Sequence, residues 1–219
     1  MTSLPDDIRV SVDALSEAIQ SGDAAAAGVL AGELIAGGVS PAEILNGALL
    51  PGMSVVGARF RDREIFLPDV LLAARAMKSA MAVIEPLLLR DRVPSSGVVV
   101  LGTVRGDLHD IGKNLVSVML QGAGYRVVDL GTDVEADDFI DAALDQSASV
   151  IGMSALLTTT MTEMGNVIQR IEARGLRDRL RVIVGGAPIT EAFAREIAAD
   201  AFAPDATTAV ERVGELLSR

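Results

Sequence analysis

No cysteine and no tryptophan occur in this chain, and histidine and tyrosine occur once each. Without thiols, disulfides, zinc-thiolate sites, iron–sulfur clusters and cysteine nucleophiles are excluded, a composition that fits a reducing compartment. Aromatic residues make up 3% of the chain, too few to build stacking platforms for bases or a flavin. Positive charge is scarce as well. Nineteen Lys and Arg against 30 Asp and Glu give a net charge of -11, which repels a phosphate backbone, so no nucleic acid partner is expected. No run of about 18 uncharged apolar residues is present that would span a bilayer, so no membrane partner is expected either. The opening MTSLPDDIRV places acids where a secretory signal carries positive charge, and a cytoplasmic location is expected.

What the chain does have is apolar bulk. Half of its 219 residues are hydrophobic and its mean hydropathy is +0.40, enough for one generous core or two modest ones; two domains are expected. From Val10 to about Leu89 the apolar residues recur at helical spacing, as in Val12, Leu15 and Ile19 or Val29, Leu30 and Leu34, and no stretch alternates like a strand. Ser40-Pro41-Ala42-Glu43 reads as an N-cap, a first-turn proline and a first-turn acid, opening a helix to about Val56. A further helix starts near Pro68 and runs to about Leu88. Residues 1–90 thus read as a four-helix bundle. The charged, then proline- and serine-bearing segment 91–96 reads as a linker.

After it, short apolar runs alternate with helix-length segments. Strands are expected at Val98–Leu101, Tyr125–Leu130, Val150–Met153, Arg181–Val184 and Ala201–Phe202, with helices at about 111–121, 135–146, 161–174, 190–198 and 207–218. That alternation predicts an α/β domain over 97–219: a five-stranded parallel sheet of flavodoxin-like order, covered by helices on both faces. Ligands of such sheets sit beyond the carboxyl ends of the strands at the switch point, here between the first and third strands.

The two most unusual loops fall there. One runs from Gly102 through Gly106-Asp107-Leu108-His109-Asp110-Ile111-Gly112-Lys113 and holds the single histidine; the other runs from Ser154 to Thr160. An imidazole two residues from a carboxylate suits a metal ligand whose second ring nitrogen donates to an orienting acid, with Asp107 in that part. The plainer reading is a histidine that caps or packs the helix beginning near Ile111. One histidine and no cysteine make a zinc or copper site of three or four protein ligands hard to assemble, while carboxylate sites for magnesium stay open. A macrocycle that brings four in-plane nitrogens needs one protein ligand only.

Asp107-Leu108-His109-Asp110-Ile111-Gly112, followed by Ser154-Ala155-Leu156 and then Gly185-Gly186, resembles the cobalamin-binding signature. The resemblance is to the B12-binding modules of cobalamin-dependent methionine synthase and of the small corrinoid proteins in methylamine, methanol and methoxy-group methyltransfer systems. It spans nearly the whole chain, since Leu50–Phe60 and Phe66–Val70 look like the helical cap of that family. The resemblance implies a cobalamin cofactor whose cobalt is held by His109 in the base-off/His-on form, carried as cob(I)alamin and methylcobalamin. Asp107 would accept the other imidazole proton, and Thr160 stands where methionine synthase extends this relay with a serine. Gly106, Leu108, Ile111 and Gly112 would lie at the cofactor, Gly112 letting its helix start against it. Ser154, Leu156 and Thr158 would line the slot for the displaced nucleotide tail, and Gly185 and Gly186 would admit that tail after the fourth strand. Phe60, Leu67 and Val70 would shield the cobalt from the cap.

Each of these positions has a plainer reading. Gly185-Gly186 is a common strand-to-helix turn, Ser154 or Thr158 alone would serve as N-caps, Thr158–Thr160 as a polar loop, Lys113 as a solvated helix residue, and the apolar cap residues as bundle core. The implied function is methyl carriage between a substrate-specific methyltransferase and a methyl-acceptor methyltransferase, with a reductive activator as a further candidate partner, the cap swinging on the 91–96 linker, and the oligomeric state left open. Alternatives are a detached module of a split methionine synthase, a B12-dependent sensor and a mutase subunit. A phosphoacceptor receiver lacks its aspartate at Met153-Ser154, and a flavodoxin lacks its aromatics.

Overall fold

The computed structural model describes residues 6–90 and 96–218. The chain divides into two compact units, Met1–Pro94 and Ser95–Arg219. The expected linker lies outside the described residues except for Ser96.

The first unit is helical: α1 (Asp6–Ser21), α2 (Ala24–Ala36), α3 (Pro41–Ile44), α4 (Leu50–Arg61) and α5 (Leu67–Arg90). Asp23 caps α2 by accepting from the Ala25 and Ala26 amides. Ser40 and Glu43 form the reciprocal capping box read from the sequence, with Pro41 in the first turn. The helix opened there does not stop near Val56. It passes through a π-helical turn, Leu45–Leu49, into α4 and on to Arg61. Pro51 has no N–H to give to the turn before it, and the wider turn absorbs that mismatch without ending the helix. Along α5, Val70, Ala73, Met77, Ala80 and Ile84 are buried. This three-and-four spacing turns one stripe into the bundle, where α5 packs along α2.

The second unit is a parallel sheet of order β2-β1-β3-β4-β5: β1 (Val98–Thr103), β2 (Arg126–Asp129), β3 (Val150–Ser154), β4 (Arg181–Gly185) and β5 (Ala201–Ala203). The connecting helices are α6 (Ile111–Gly122), α7 (Ala136–Asp145), α8 (Thr162–Ala173), α9 (Glu191–Glu196) and α10 (Ala206–Leu217). Because strand side chains alternate between faces, neighbours in sequence enter different cores. Val100, Ile151, Met153, Val182 and Val184 meet Phe139, Ile140, Met164 and Ile168 of α7 and α8. Val99, Val150 and Ile183 meet Leu120 of α6 and Val213 and Leu216 of α10. The flavodoxin-like order expected from the sequence is the one observed, and its switch point lies between β1 and β3. Among the described residues no helix is long and apolar enough to cross a membrane.

Candidate functional site

The loops after β1 and β3 meet at the switch point, and a single carboxylate joins them. Val104 N donates to Ser154 O at 3.0 Å, and Asp107 N to Val104 O at 3.1 Å, folding the first loop back so that Asp107 is wholly buried. Its Oδ2 accepts from Leu156 N at 2.8 Å, Leu157 N at 3.2 Å and the Thr160 hydroxyl at 2.7 Å. Its Oδ1 accepts from His109 N at 3.1 Å and meets His109 Nδ1 at 2.8 Å. Burial by itself would push the Asp107 carboxyl up; the hydrogen bonds from Thr160, Leu156 and His109 outweigh it and hold the group well below the usual carboxylate range.

An ionised carboxylate can only accept, so Nδ1 carries the imidazole proton. In the neutral tautomer the lone pair then falls on Nε2, on a ring whose side chain is 51% exposed. The arrangement leaves Nε2 as the ring nitrogen not engaged by Asp107, with an acid and a hydroxyl behind the ring that fix its orientation. Among the described residues no three His, Asp or Glu side chains cluster to hold a metal by themselves.

The surroundings fit a large ligand with apolar faces. Leu108 and Ile111, on either side of His109, are 72% and 75% exposed, and Leu156 and Leu157 are exposed as well. Four large exposed apolar side chains in and beside the two loops that Asp107 joins are the kind of surface that a protein keeps for a ligand or partner. Gly112 opens onto space, with nothing within 4 Å of where a Cβ would sit, so its own fold does not require glycine there. Gly186 is the opposite case. Its φ is +128° and an added Cβ would lie 1.9 Å from Ala155 O, so glycine is demanded by the approach of the β3 and β4 loops. Gly185 packs against Ala203 O in the same way.

The structure therefore gathers Gly106, Asp107, Leu108, His109, Ile111, Gly112, Ser154, Leu156, Thr158, Thr160, Gly185 and Gly186 at one end of the sheet. Ser154 is half-buried and Thr158 exposed; neither caps a helix, since α8 begins after Met161 without a side-chain cap. Phe60, Leu67 and Val70 belong to the helical unit. Phe60 and Leu67 are half-buried, but Val70 is wholly buried and offers no surface to a cofactor; it is part of the α5 core stripe. Exposed apolar side chains near it in sequence are Phe66, Leu71 and Leu72.

Three features escaped the sequence reading. Thr103, buried at the end of β1, donates to His109 O at 3.0 Å. Lys113 is buried rather than solvated, and its ammonium binds Asp129 Oδ1 and Oδ2 at 2.6 and 2.5 Å and Asn114 Oδ1 at 2.8 Å. Asp133 reaches the histidine loop from the loop after β2. A polar residue closing an apolar strand is the one signal that pointed to Thr103; for Lys113 and Asp133 the partner's position had to be known.

A family model described as B12 binding domain matches residues 97–214, and a second of the same description matches residues 12–85. The chain belongs to the B12-binding corrinoid protein family. It is 48% identical over 168 residues to a dimethylamine corrinoid protein of Methanosarcina barkeri, covering 76% of this chain and 79% of that one. It is 44% identical over 171 residues to a corrinoid protein of Desulfitobacterium hafniense strain Y51, covering 77% and 79%. Among solved structures, the methanol:cobalamin methyltransferase complex MtaBC of Methanosarcina barkeri contains a chain that matches with TM-score 0.87 and 28% identity over 98% of this corrinoid protein and 81% of that chain. A cobalamin-binding protein of Desulfitobacterium hafniense DCB-2 matches with TM-score 0.76 and 30% identity over 94% and 98%.

Proposed function

We propose that this corrinoid protein is a methyl carrier: it holds cobalamin base-off with His109 Nε2 as the lower ligand of cobalt, and serves two methyltransferases in turn. The observation that carries the reading is the His109 Nδ1–Asp107 contact of 2.8 Å beneath a half-exposed ring, a ligand oriented by a buried acid. The cofactor, when bound, supplies a cobalt centre able to take up a methyl group and give it away.

The chain's own residues do the rest. Asp107 holds the Nδ1 proton, Thr160 and the Leu156 and Leu157 amides keep Asp107 ionised, and the imidazole is thereby the stronger donor. Leu108, Ile111, Leu156 and Leu157 cover apolar ligand surface and exclude water from it. Ser154 and Thr158 line the proposed tail slot, and Gly106 and Gly112 leave room at its mouth. The helical unit is assigned the role of cap, with Phe60 and Leu67 as its shielding residues. The partners are a substrate-specific methyltransferase and an acceptor methyltransferase, in keeping with relatives named for dimethylamine and methanol systems, together with a reductive activator. A cytoplasmic setting accords with the cysteine-free composition.

Single-turnover transfer tests the carrier role. Protein loaded with isotopically labelled methylcobalamin is expected to release its label only when a cognate acceptor methyltransferase and its substrate are added. Release at the same rate without the acceptor enzyme would refute carriage between partners.

A further inference from the structure

The loop after β2 runs alongside the extension of β1 and closes on the residues just before His109. Leu130 N donates to Leu101 O at 2.8 Å, Thr103 N to Gly131 O at 2.9 Å and Val134 N to Thr103 O at 3.0 Å. At the end of this track Asp133 makes two bonds to the histidine loop. Its backbone N–H donates to Asp107 O at 3.0 Å, and its Oδ1 accepts from Gly106 N at 2.7 Å. Asp133 also sits at φ +56°, in the left-handed region that costs a residue with a side chain about 1–2 kcal/mol and that Asp and Asn tolerate best. Gly106 is left-handed too, at φ +77°, which turns its N–H toward the carboxylate.

We propose that Asp133 is a positioning residue for the cobalt ligand: its carboxylate fixes the Gly106 N–H, one residue before Asp107, before the cofactor arrives and so sets the direction of His109 Nε2. The inference rests on the reading of His109 as the axial ligand. The Asp107 side chain is pinned from the β3 side by Leu156, Leu157 and Thr160 and its backbone N–H by Val104 O; the Arg105–Gly106 peptide between Val104 and Asp107 is held by the Asp133 carboxylate. Thr103 secures the far end of the loop at His109 O. At the near end Asp133 bonds the backbone N–H of Gly106, while the neighbouring Arg105 guanidinium pairs with Glu135. A strained backbone at a residue whose main chain and side chain both grip a ligand-bearing loop is where positioning is expected to reside, and pre-ordering the loop removes an ordering cost from binding.

Two substitutions isolate the carboxylate. Asp133→Gly accepts φ +56° without strain and keeps the backbone bond to Asp107 O, removing only the side chain. Asp133→Asn keeps an acceptor and tolerates the same backbone. In the cofactor-free protein, hydrogen exchange over residues 104–110 is expected to be about tenfold faster in Asp133→Gly, the loss of one charge-assisted bond, and near wild type in Asp133→Asn. Hydroxocobalamin is expected to bind Asp133→Gly about tenfold more weakly, with a spectrum shifted toward that of His109→Ala, and Asp133→Asn to restore both. Wild-type exchange in Asp133→Gly would overturn the latch, and faster exchange with an unchanged spectrum and affinity would overturn its positioning role. His109→Ala with a wild-type spectrum would instead overturn the axial-ligand reading, while exchange in the cofactor-free protein still judges the latch.

Discussion

The hydroxyl of Thr160 donates to Oδ2 of Asp107 at 2.7 Å, and both residues are buried. The threonine therefore continues the line that starts at the His109 imidazole, despite the β-methyl that distinguishes it from serine. The methyl is accommodated against the histidine loop, with Thr160 Cγ2 3.6 Å from where a Cβ on Gly106 would sit.

Removing that hydroxyl leaves a buried carboxylate short of one donor. Thr160→Val, similar in volume, is expected to lower the stability of the cofactor-free protein by about 1.5–3 kcal/mol, the usual worth of a hydrogen bond to a charged group. Thr160→Ser keeps the donor and is expected to stay within about 1 kcal/mol of wild type. Equilibrium denaturation measures both; equal stabilities for valine and serine would show that the bond adds nothing.

Asp107 ties stability to pH. Its carboxyl is held down in the folded protein, so the contribution is fully present above the unfolded carboxylate value of about 3.9 and is lost as pH falls below it. Asp107→Asn lacks this dependence. At pH 7 it is expected to be less stable than wild type, by about 3 kcal/mol for an amide facing donors that need an anion. The gap is expected to narrow progressively below about pH 4. A gap that stays constant down to pH 3 would contradict an ionised, hydrogen-bonded Asp107.

The organisation of the sheet was legible because its signals are local. Short runs such as Val98–Leu101 and Val150–Met153 are bounded by glycine and polar residues, and their cores are filled by period-two alternation. The Asp107–His109 pair was legible for the same reason, being two residues apart. Asp133 was not, because its role depends on a parallel register that brings it beside Gly106 across the loop after β2. Lys113 was read as solvated because lysine usually is; its burial depends on Asp129 at the end of β2 facing the first turn of α6. Val70 was given to the cofactor by resemblance, whereas the α5 spacing already placed it in the stripe that packs inward.

The two kinds of glycine in the site separate folding from binding. Gly112→Ala meets open space and is expected to leave the cofactor-free protein as stable or up to about 1 kcal/mol more stable, from helix propensity alone. Its cobalamin affinity is expected to fall about tenfold if the methyl intrudes on the cofactor. Gly186→Ala drives a Cβ into Ala155 O and is expected to cost more than about 3 kcal/mol or prevent folding. Thermal melts with and without hydroxocobalamin distinguish the two; an unaltered affinity in Gly112→Ala would remove Gly112 from the site.

The most direct test of the central claim is the visible absorption spectrum of the protein reconstituted with hydroxocobalamin and with methylcobalamin, wild type beside His109→Ala. Histidine ligation predicts stoichiometric uptake by the wild type, and a spectrum that changes, with weaker uptake, when the imidazole is removed. Identical spectra and equal uptake in the two proteins would contradict His109 as the ligand of cobalt.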